Sequence, residues 1–454
     1  MEHSMKRPLL SFVFLLATAA ASVSAQVRGT SPVYSLEDCL RIAAQNNVDI
    51  RVADASTHAA AAGLTAAFGN YLPGASISAN YSRQLTNLQK QFSFVNGVPI
   101  QGEPLPNNYG LSAGLTWTVF DGMRREANYD QARNTLDAAD KRGQSQRLQI
   151  GVDVRRQYVE VLRSMQVVKT RRENVDLSRN TLDRIKAQYD AGRTAITSVY
   201  SQETELANQE FELVRSENDL NVAKARLLFT MGLNPDEPAE FLETSFPSSA
   251  EQSDVEQFRQ RLGSLDACVA RALGHRPDIA AARHQASAAE SGIAIARGTY
   301  FPTLNASGGY AWRNTEIANF DRQGQVSLGL QLSVPIFDQF QTNANIQNAS
   351  LTLTQRQADV QRLELQVRQS IQGAFLTLEA AERMLEITSR ALKAAEINQQ
   401  AALERFNVGS ANQLDVLTAT NQLVVSRINR ISAVYSYYDA RYQAEFASGL
   451  MTAQ

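Results

Sequence analysis

Two cysteines among 454 residues, Cys39 and Cys268, are too few for a disulfide-stapled scaffold. Long apolar runs are missing as well. Past the first 25 residues nothing approaches the roughly 18 to 20 consecutive apolar side chains that a membrane-crossing helix needs, so a helical anchor is excluded there. Charge of one sign is also absent. A net charge of -2 with 20% charged and 44% hydrophobic residues points away from a nucleic-acid partner and from a disordered acidic tail. Proline is withheld from two long windows, Gly122 to Tyr189 and everything after Pro335. The sequence offers no nucleophile–base pair, phosphate loop or cofactor motif, and His58, His275 and His284 lack metal-ligand spacing. Neither catalysis, nor a cofactor, nor a resident metal is expected.

The first proline-free window carries the main signal. Val154, Val161, Val168, Val175, Leu182 and Tyr189 recur every seven positions, with Ile150, Tyr158 and Met165 on the neighbouring stripe. A sustained 3.5-residue repeat keeps one seam against a partner helix, which is coiled-coil packing. At 1.5 Å per residue the helix would be roughly 100 Å long. After Asp190-Ala191-Gly192 a second series, Val199, Leu206, Leu213, Leu220 and Leu227, supplies the returning partner. Glycine at 192 suits the left-handed conformation that ends helices.

Met1 to Ala25 reads as a cleaved export signal: Lys6 and Arg7, an apolar core from Leu9 to Ala21, then Val23-Ser24-Ala25. The remainder is duplicated. Ser35-Leu36-Glu37-Asp38-Cys39 matches Ser264-Leu265-Asp266-Ala267-Cys268 at an offset of 229. Beyond a 12-residue deletion the offset becomes 217, pairing Phe120-Asp121 with Phe337-Asp338, Gly192 with Gly409 and Gly232 with Gly449. The expected organisation is a signal peptide (1–25), a first repeat (26–232), a connecting equatorial segment (233–263) and a second repeat (264–454). The second copy keeps the heptad through Ile371, Leu378, Leu385, Leu392 and Phe406, with Gln399 the polar interruption, and returns through Leu417, Val424, Ile431 and Tyr438.

Each repeat opens with an amphipathic helix, about 36–69 and 265–298, ended by Tyr71-Leu72-Pro73 or Tyr300-Phe301-Pro302. The period then switches to two. Leu111, Ala113, Leu115, Trp117 and Val119 alternate with small or polar residues, as do Leu328, Leu330, Leu332, Val334 and Ile336, and weaker strands precede each set. Strands of this length match a tilted crossing of a bilayer, where roughly 9 to 11 residues suffice. Trp117, Phe120, Trp312 and Phe337 near their ends would form interfacial girdles in contact with lipid. Four strands leave two open edges, so such a sheet has to close with other copies of the chain. Phe92, Phe94 and Val95 beside Asn96-Gly97 indicate a small hairpin within the first inter-strand loop.

This order of parts, the Tyr-x-Pro before each strand pair, the Val-Phe-Asp or Ile-Phe-Asp after it and the glycine-bearing tips resemble the TolC family of outer-membrane efflux proteins over essentially the whole mature chain. The resemblance implies a mainly α fold with membrane β-strands. Tandem coiled-coil hairpins would form an α-barrel tunnel, and four strands per chain would contribute to a 12-stranded β-barrel in a homotrimer. It implies an outer-membrane exit duct of a Gram-negative bacterium that extends into the periplasm and conducts passively for an efflux or type I secretion system. Its partners would be a periplasmic adaptor and an inner-membrane transporter. The competing reading is a periplasmic or surface coiled-coil structural protein whose hairpins pack on helices.

Within that resemblance, Gly192, Arg193, Gly409 and Ser410 fall at the adaptor-contacting tips. Asp415 falls where the family places an acidic ring at the tunnel mouth. Ser198 stands where relatives often carry Asp, and Phe406, Ala411 and Thr418 stand where some carry polar or charged locking residues, so packing rather than an ionic lock is expected to close the gate. From the residues alone, Ser410 with Gln413 and Thr194 are expected to cap the returning helices, and Cys39 and Cys268 to be small buried hydrophobes.

Overall fold

The computed structural model describes residues 32–85, 92–95, 97–101, 107–243 and 252–451; the expected signal segment and Asn96 lie outside them. The chain runs β1 (Val33–Tyr34), α1 (Leu36–Asn46), α2 (Val48–Gly69), β2 (Gly74–Arg83), β3 (Phe92–Val95), β4 (Val98–Gln101), β5 (Asn107–Phe120), α3 (Arg124–Asp190) and α4 (Ile196–Met231). It continues β6 (Glu240–Phe241), α5 (Gln252–Leu262), α6 (Leu265–His275), α7 (Pro277–Gly298), β7 (Thr303–Asn314), β8 (Gly324–Ser333), α8 (Gln341–Asn407) and α9 (Gln413–Ala447). No described helix is both long and apolar enough to cross a membrane.

The seams read from the heptads pack except at the tip, where Tyr189, the last of its series, is exposed. Val154, Val161, Val168, Val175 and Leu182 are all buried on α3, and Ile371, Leu378 and Leu385 on α8. Both long helices have 67 residues, about 100 Å each at the standard rise. Each folds back through a glycine at the tip, α3 onto α4 and α8 onto α9, while α3 also packs on α9. Towards the strands, α2 lies along α3, and α7 lies between α3 and α8. Four helices therefore run side by side at each level.

Two expectations are corrected at the start of each repeat. The helix expected over 36–69 is two, broken at Asn47, whose side-chain oxygen accepts the N–H groups of Asp49 and Ile50 at 2.8 and 3.2 Å and so begins α2. The helix expected over 265–298 breaks at Arg276, because Pro277 at the first position of α7 disfavours helical backbone in the residue before it.

The densest core lies at mid-length and is covered by the segment between the repeats. Tyr158, fully buried on α3, donates its hydroxyl to the Leu242 carbonyl at 2.7 Å and meets Phe241 edge-on at 6.0 Å. β6 pairs in parallel with β1, and Phe258 and Leu262 of α5 join the same cluster. Cys39 and Cys268 are both free thiols buried in it.

The two hairpins merge into one antiparallel sheet ordered β2-β5-β7-β8. Its register places Ile77 beside Ala113, Ala113 beside Tyr310 and Tyr310 beside Val326; one row further, Leu115, Gly308 and Leu328 align. One face is thus apolar across every strand. The other carries Ser78, Ser112, Ala311 and Gln325 in one row and Gly114, Gly309 and Ser327 in another. Leu328 and Leu330 are 89% and 75% exposed, so the middle of the apolar face lies open in the single chain, and only at its far rim does the loop before β8 lie over it. β2 and β8 are open edges. In the loop between β2 and β5, β3 and β4 form the expected small hairpin, with Gly97 at φ 81°.

Candidate channel wall and periplasmic tips

Both tips end in the same motif. Gly192 adopts φ 70° and donates to the Tyr189 carbonyl at 2.8 Å, while Arg193 donates to the Gln188 carbonyl at 2.8 Å. At φ 78° Gly409 donates to the Phe406 carbonyl and Ser410 to that of Arg405, at 3.0 and 2.8 Å. These pairs of bonds make Schellman caps, which satisfy two orphan carbonyls and require a left-handed residue at the glycine. Gly192, Arg193, Gly409 and Ser410 are exposed at the two turns.

The returning helices start differently from expectation. Ser410 and Gln413 do not form a capping box. Asn412 is the N-cap of α9, and its side chain and that of Asp415 each accept the other's backbone N–H. Thr194 is no cap either: the N-cap of α4 is Ala195, which has no side-chain acceptor to offer. Asp415 and Thr418 are exposed on the first turns of α9, and the Thr418 hydroxyl donates to the Leu414 carbonyl at 2.8 Å. Ser198 is half-buried in the first turn of α4.

Above the tips the two hairpins are held by different means. Four ion pairs stitch α3 to α4: Arg172–Glu217 at 2.8 Å, Lys186–Glu203 at 2.9 Å, Arg179–Glu210 at 3.1 Å and Arg171–Glu212 at 3.2 Å. Beneath them a polar layer replaces apolar seam residues. Asn174 donates to Gln209 at 2.6 Å and Gln202 to the Ser178 hydroxyl at 2.9 Å, all four being buried. The spacing that reveals this layer is in the sequence: Gln202, Gln209 and Ser216 recur by sevens, three residues after Val199, Leu206 and Leu213. Between α8 and α9 no ion pair occurs among the described residues; Ala381, Ala395 and Ala402 pack instead, and Arg430 donates to the Leu385 carbonyl at 2.7 Å. Burial lowers the Arg430 pKa from its ordinary value.

At the other end the aromatics fall into two belts. Near the helices, Trp117 donates its indole N–H to the Tyr71 carbonyl at 3.0 Å, and Phe120 and Phe337 are exposed close by the strand–helix junctions. Near the far rim, Tyr81 stacks on Tyr109 at 4.9 Å. Trp312 lies at that rim too, but is only 4% exposed, because Phe320 from the loop before β8 stacks on it at 4.2 Å.

A family profile described as outer membrane efflux protein matches residues 39–233 and 268–450, one match per repeat. The chain belongs to this family. It is an outer-membrane efflux protein, and the outer membrane is its location. It is 26% identical to the outer membrane efflux protein BepC of Brucella suis biovar 1, over 75% of this chain and 72% of that one. It is 21% identical to the outer membrane protein TolC of Salmonella enteritidis, over 95% and 86%. Among solved structures, the Campylobacter jejuni CmeC outer membrane channel superposes with a TM-score of 0.77 at 15% identity, covering 97% of this chain and 94% of that one. VceC of Vibrio cholerae gives 0.75 at 19% identity, covering 91% and 96%. The long helices and the strands of this efflux protein therefore share the fold of outer-membrane channels.

Proposed function

We propose that three copies of this chain close one duct, with 12 strands in the outer membrane and a helical tunnel below, through which solutes leave passively. The observation that carries the reading is the apolar face continuous over β2, β5, β7 and β8 with both edges open. Unpaired backbone groups in hydrocarbon cost several kcal/mol each, so β8 of one copy has to meet β2 of the next. The flanks of the helical part agree. Phe211, Val214 and Phe229 on α4 and Leu365, Leu376 and Ile397 on α8 are exposed on helices that lie at opposite ends of the side-by-side order α4-α3-α9-α8. Those stripes suit a neighbouring copy. On this reading the repeats span 26–232 and 264–454, joined by an equatorial segment at 233–263 and preceded by a signal peptide at 1–25.

The tips at Gly192, Arg193, Gly409 and Ser410 would receive a periplasmic adaptor that links the duct to an inner-membrane transporter. Asp415 and Thr418 on the first turns of α9, with Ser198 on the first turn of α4, would ring the mouth. Three exposed carboxylates around one axis would attract cations and repel anions. Trp117, Phe120, Trp312 and Phe337 would sit at the two lipid interfaces.

The test is the native mass of the protein extracted in detergent from isolated outer membranes. A trimer is expected. A monomer, or a protein absent from that fraction, would overturn the duct and leave a coiled-coil structural role.

A further inference from the structure

Between the two hairpins, just inside the tips, lies a cavity of about 190 Å³ walled by α3, α4, α8 and α9. Leu177 and Ile185 face it from α3, Leu403 and Phe406 from α8, and Val416 and Leu417 from α9. In its polar lining the Asn174 and Gln202 amides are committed, donating to Gln209 and Ser178. Glu205 brings a negative charge. Of the five glutamates on α4, Glu203, Glu210, Glu212 and Glu217 each pair with a lysine or arginine of α3, whereas Glu205, the one that lines the cavity, meets no cation among the described residues and accepts from Gln209 at 2.6 Å. Arg184 lines the same cavity and forms no ion pair with it.

A half-buried carboxylate left without a cation beside apolar walls is a site of defined polarity. We infer that this cavity binds a small amphipathic amine, a body of one aromatic ring on a short alkyl arm, packed on Leu403, Phe406 and Leu417 with its ammonium on Glu205. The volume fits: an apolar cavity of roughly 150 Å³ takes a single aromatic ring, and the remainder of the 190 Å³ takes the arm. Phe406 adds a ring face for the cation. Because the walls come from both hairpins, an occupant favours the arrangement in which they touch, by as much as its affinity differs between the joined and parted states. Binding is independent of the duct reading; the consequence for opening rests on it.

The probe is 2-phenylethylamine, titrated calorimetrically into the full chain in detergent, with phenylacetate as the anionic counterpart and variants compared at one detergent concentration. Saturable binding of the amine is expected. Glu205→Gln, which keeps the volume and the bond to Gln209, should weaken it about 10-fold or more, as loss of a charge-assisted hydrogen bond does. Leu403→Trp should fill the cavity and abolish binding, and Ile317→Trp, exposed in the loop before β8, should leave it unchanged. Equal binding by parent and Glu205→Gln, or equal binding of the acetate, would overturn the proposal even if Leu403→Trp fails to fold. In planar bilayers the amine should lower open probability for the parent and not for Glu205→Gln. A parent that binds the amine but conducts nothing would sink the duct and leave the site standing.

Discussion

Asp415 Oδ2 accepts the backbone N–H of Asn412 at 3.1 Å while Asn412 Oδ1 accepts the backbone N–H of Asp415 at 2.9 Å. One carboxylate closes the first turn of α9 and also stands exposed at the proposed mouth. Substitution separates the two roles. Asn412→Ala removes the capping acceptor at a cost of about 1 kcal/mol in local helix stability but leaves the charge. Asp415→Asn keeps a hydrogen-bonding side chain and removes the charge. Single-channel recordings should show block by divalent cations retained in Asn412→Ala and lost in Asp415→Asn. Unchanged block in Asp415→Asn would remove this residue from the mouth and leave it a helix cap.

A second prediction concerns the junction between barrel and tunnel. Gly122 and Gln339 are equivalent in the two repeats and both are left-handed, at φ 73° and 57°, each followed by a left-handed residue, Met123 or Phe340, that begins a 67-residue helix. A Cβ on Gly122 would meet the Gly298 carbonyl oxygen and the Phe301 Cβ at 2.8 Å or less. Gly122→Ala should therefore cost more than the roughly 1–2 kcal/mol of left-handed strain alone. Gln339→Gly relieves strain and should be neutral or stabilising by about 1 kcal/mol. Thermal unfolding of the two variants against the parent checks both signs.

Much of this architecture is legible in the sequence because its periods are long and repeated. Val154 to Leu182 fix a seam, Leu111 to Val119 fix a strand face, and the 217-residue offset predicts the second copy of each. What escaped depends on distant partners or on single side chains. The break at Asn47 follows from one Asx cap inside an otherwise helical pattern, and Asn47 also donates to the Thr230 carbonyl at 2.8 Å, 183 residues away. The pairing of β5 with β7 joins the repeats through the whole tunnel between them, so no local signal specifies it. The amide layer at Gln202 and Gln209 was visible as a second heptad position, hidden behind the apolar one. At the tip, Asn412 outcompetes Ser410 because it lies three residues before an acid that can return the bond.

Alkaline conditions should weaken the mid-length core. Burial pushes the Tyr435, Tyr437 and Tyr442 phenols from 10.0 up to about 12, and the Cys39 thiol from 9.0 to about 12. The folded chain keeps these protons while the unfolded chain releases them. Their contribution is thus fully present below about pH 9 and is lost as pH rises towards 12. Tyr437 is fully buried and its hydroxyl has no hydrogen-bond partner among the described residues. Tyr437→Phe should raise stability by about 1 kcal/mol at pH 7, since an unsatisfied buried hydroxyl is removed, and flatten the fall in Tm between pH 9 and 12. A destabilised variant with an unchanged slope would count against both points.

The two faces of β8 separate the membrane reading from a soluble one most sharply. Leu330 lies on the apolar face, level with Ala306 of β7, and Gln331 lies next to it on the opposite face, level with Asn305. Both are exposed in the single chain, so solvent exposure does not distinguish them. A bilayer does. Arginine on the lipid face near the midplane costs about 2–4 kcal/mol, whereas on a wet lumen face it is accommodated. Leu330→Arg should therefore reduce the assembled protein recovered from outer membranes severalfold or more, and Gln331→Arg should leave recovery close to the parent while shifting conductance towards anions. If the sheet instead packed its apolar face on another protein surface, Leu330→Arg would still be harmful, but Gln331→Arg would face bulk water and leave ion selectivity unchanged. The conductance of Gln331→Arg, rather than the yield of Leu330→Arg, is thus the measurement that assigns the polar face to a lumen.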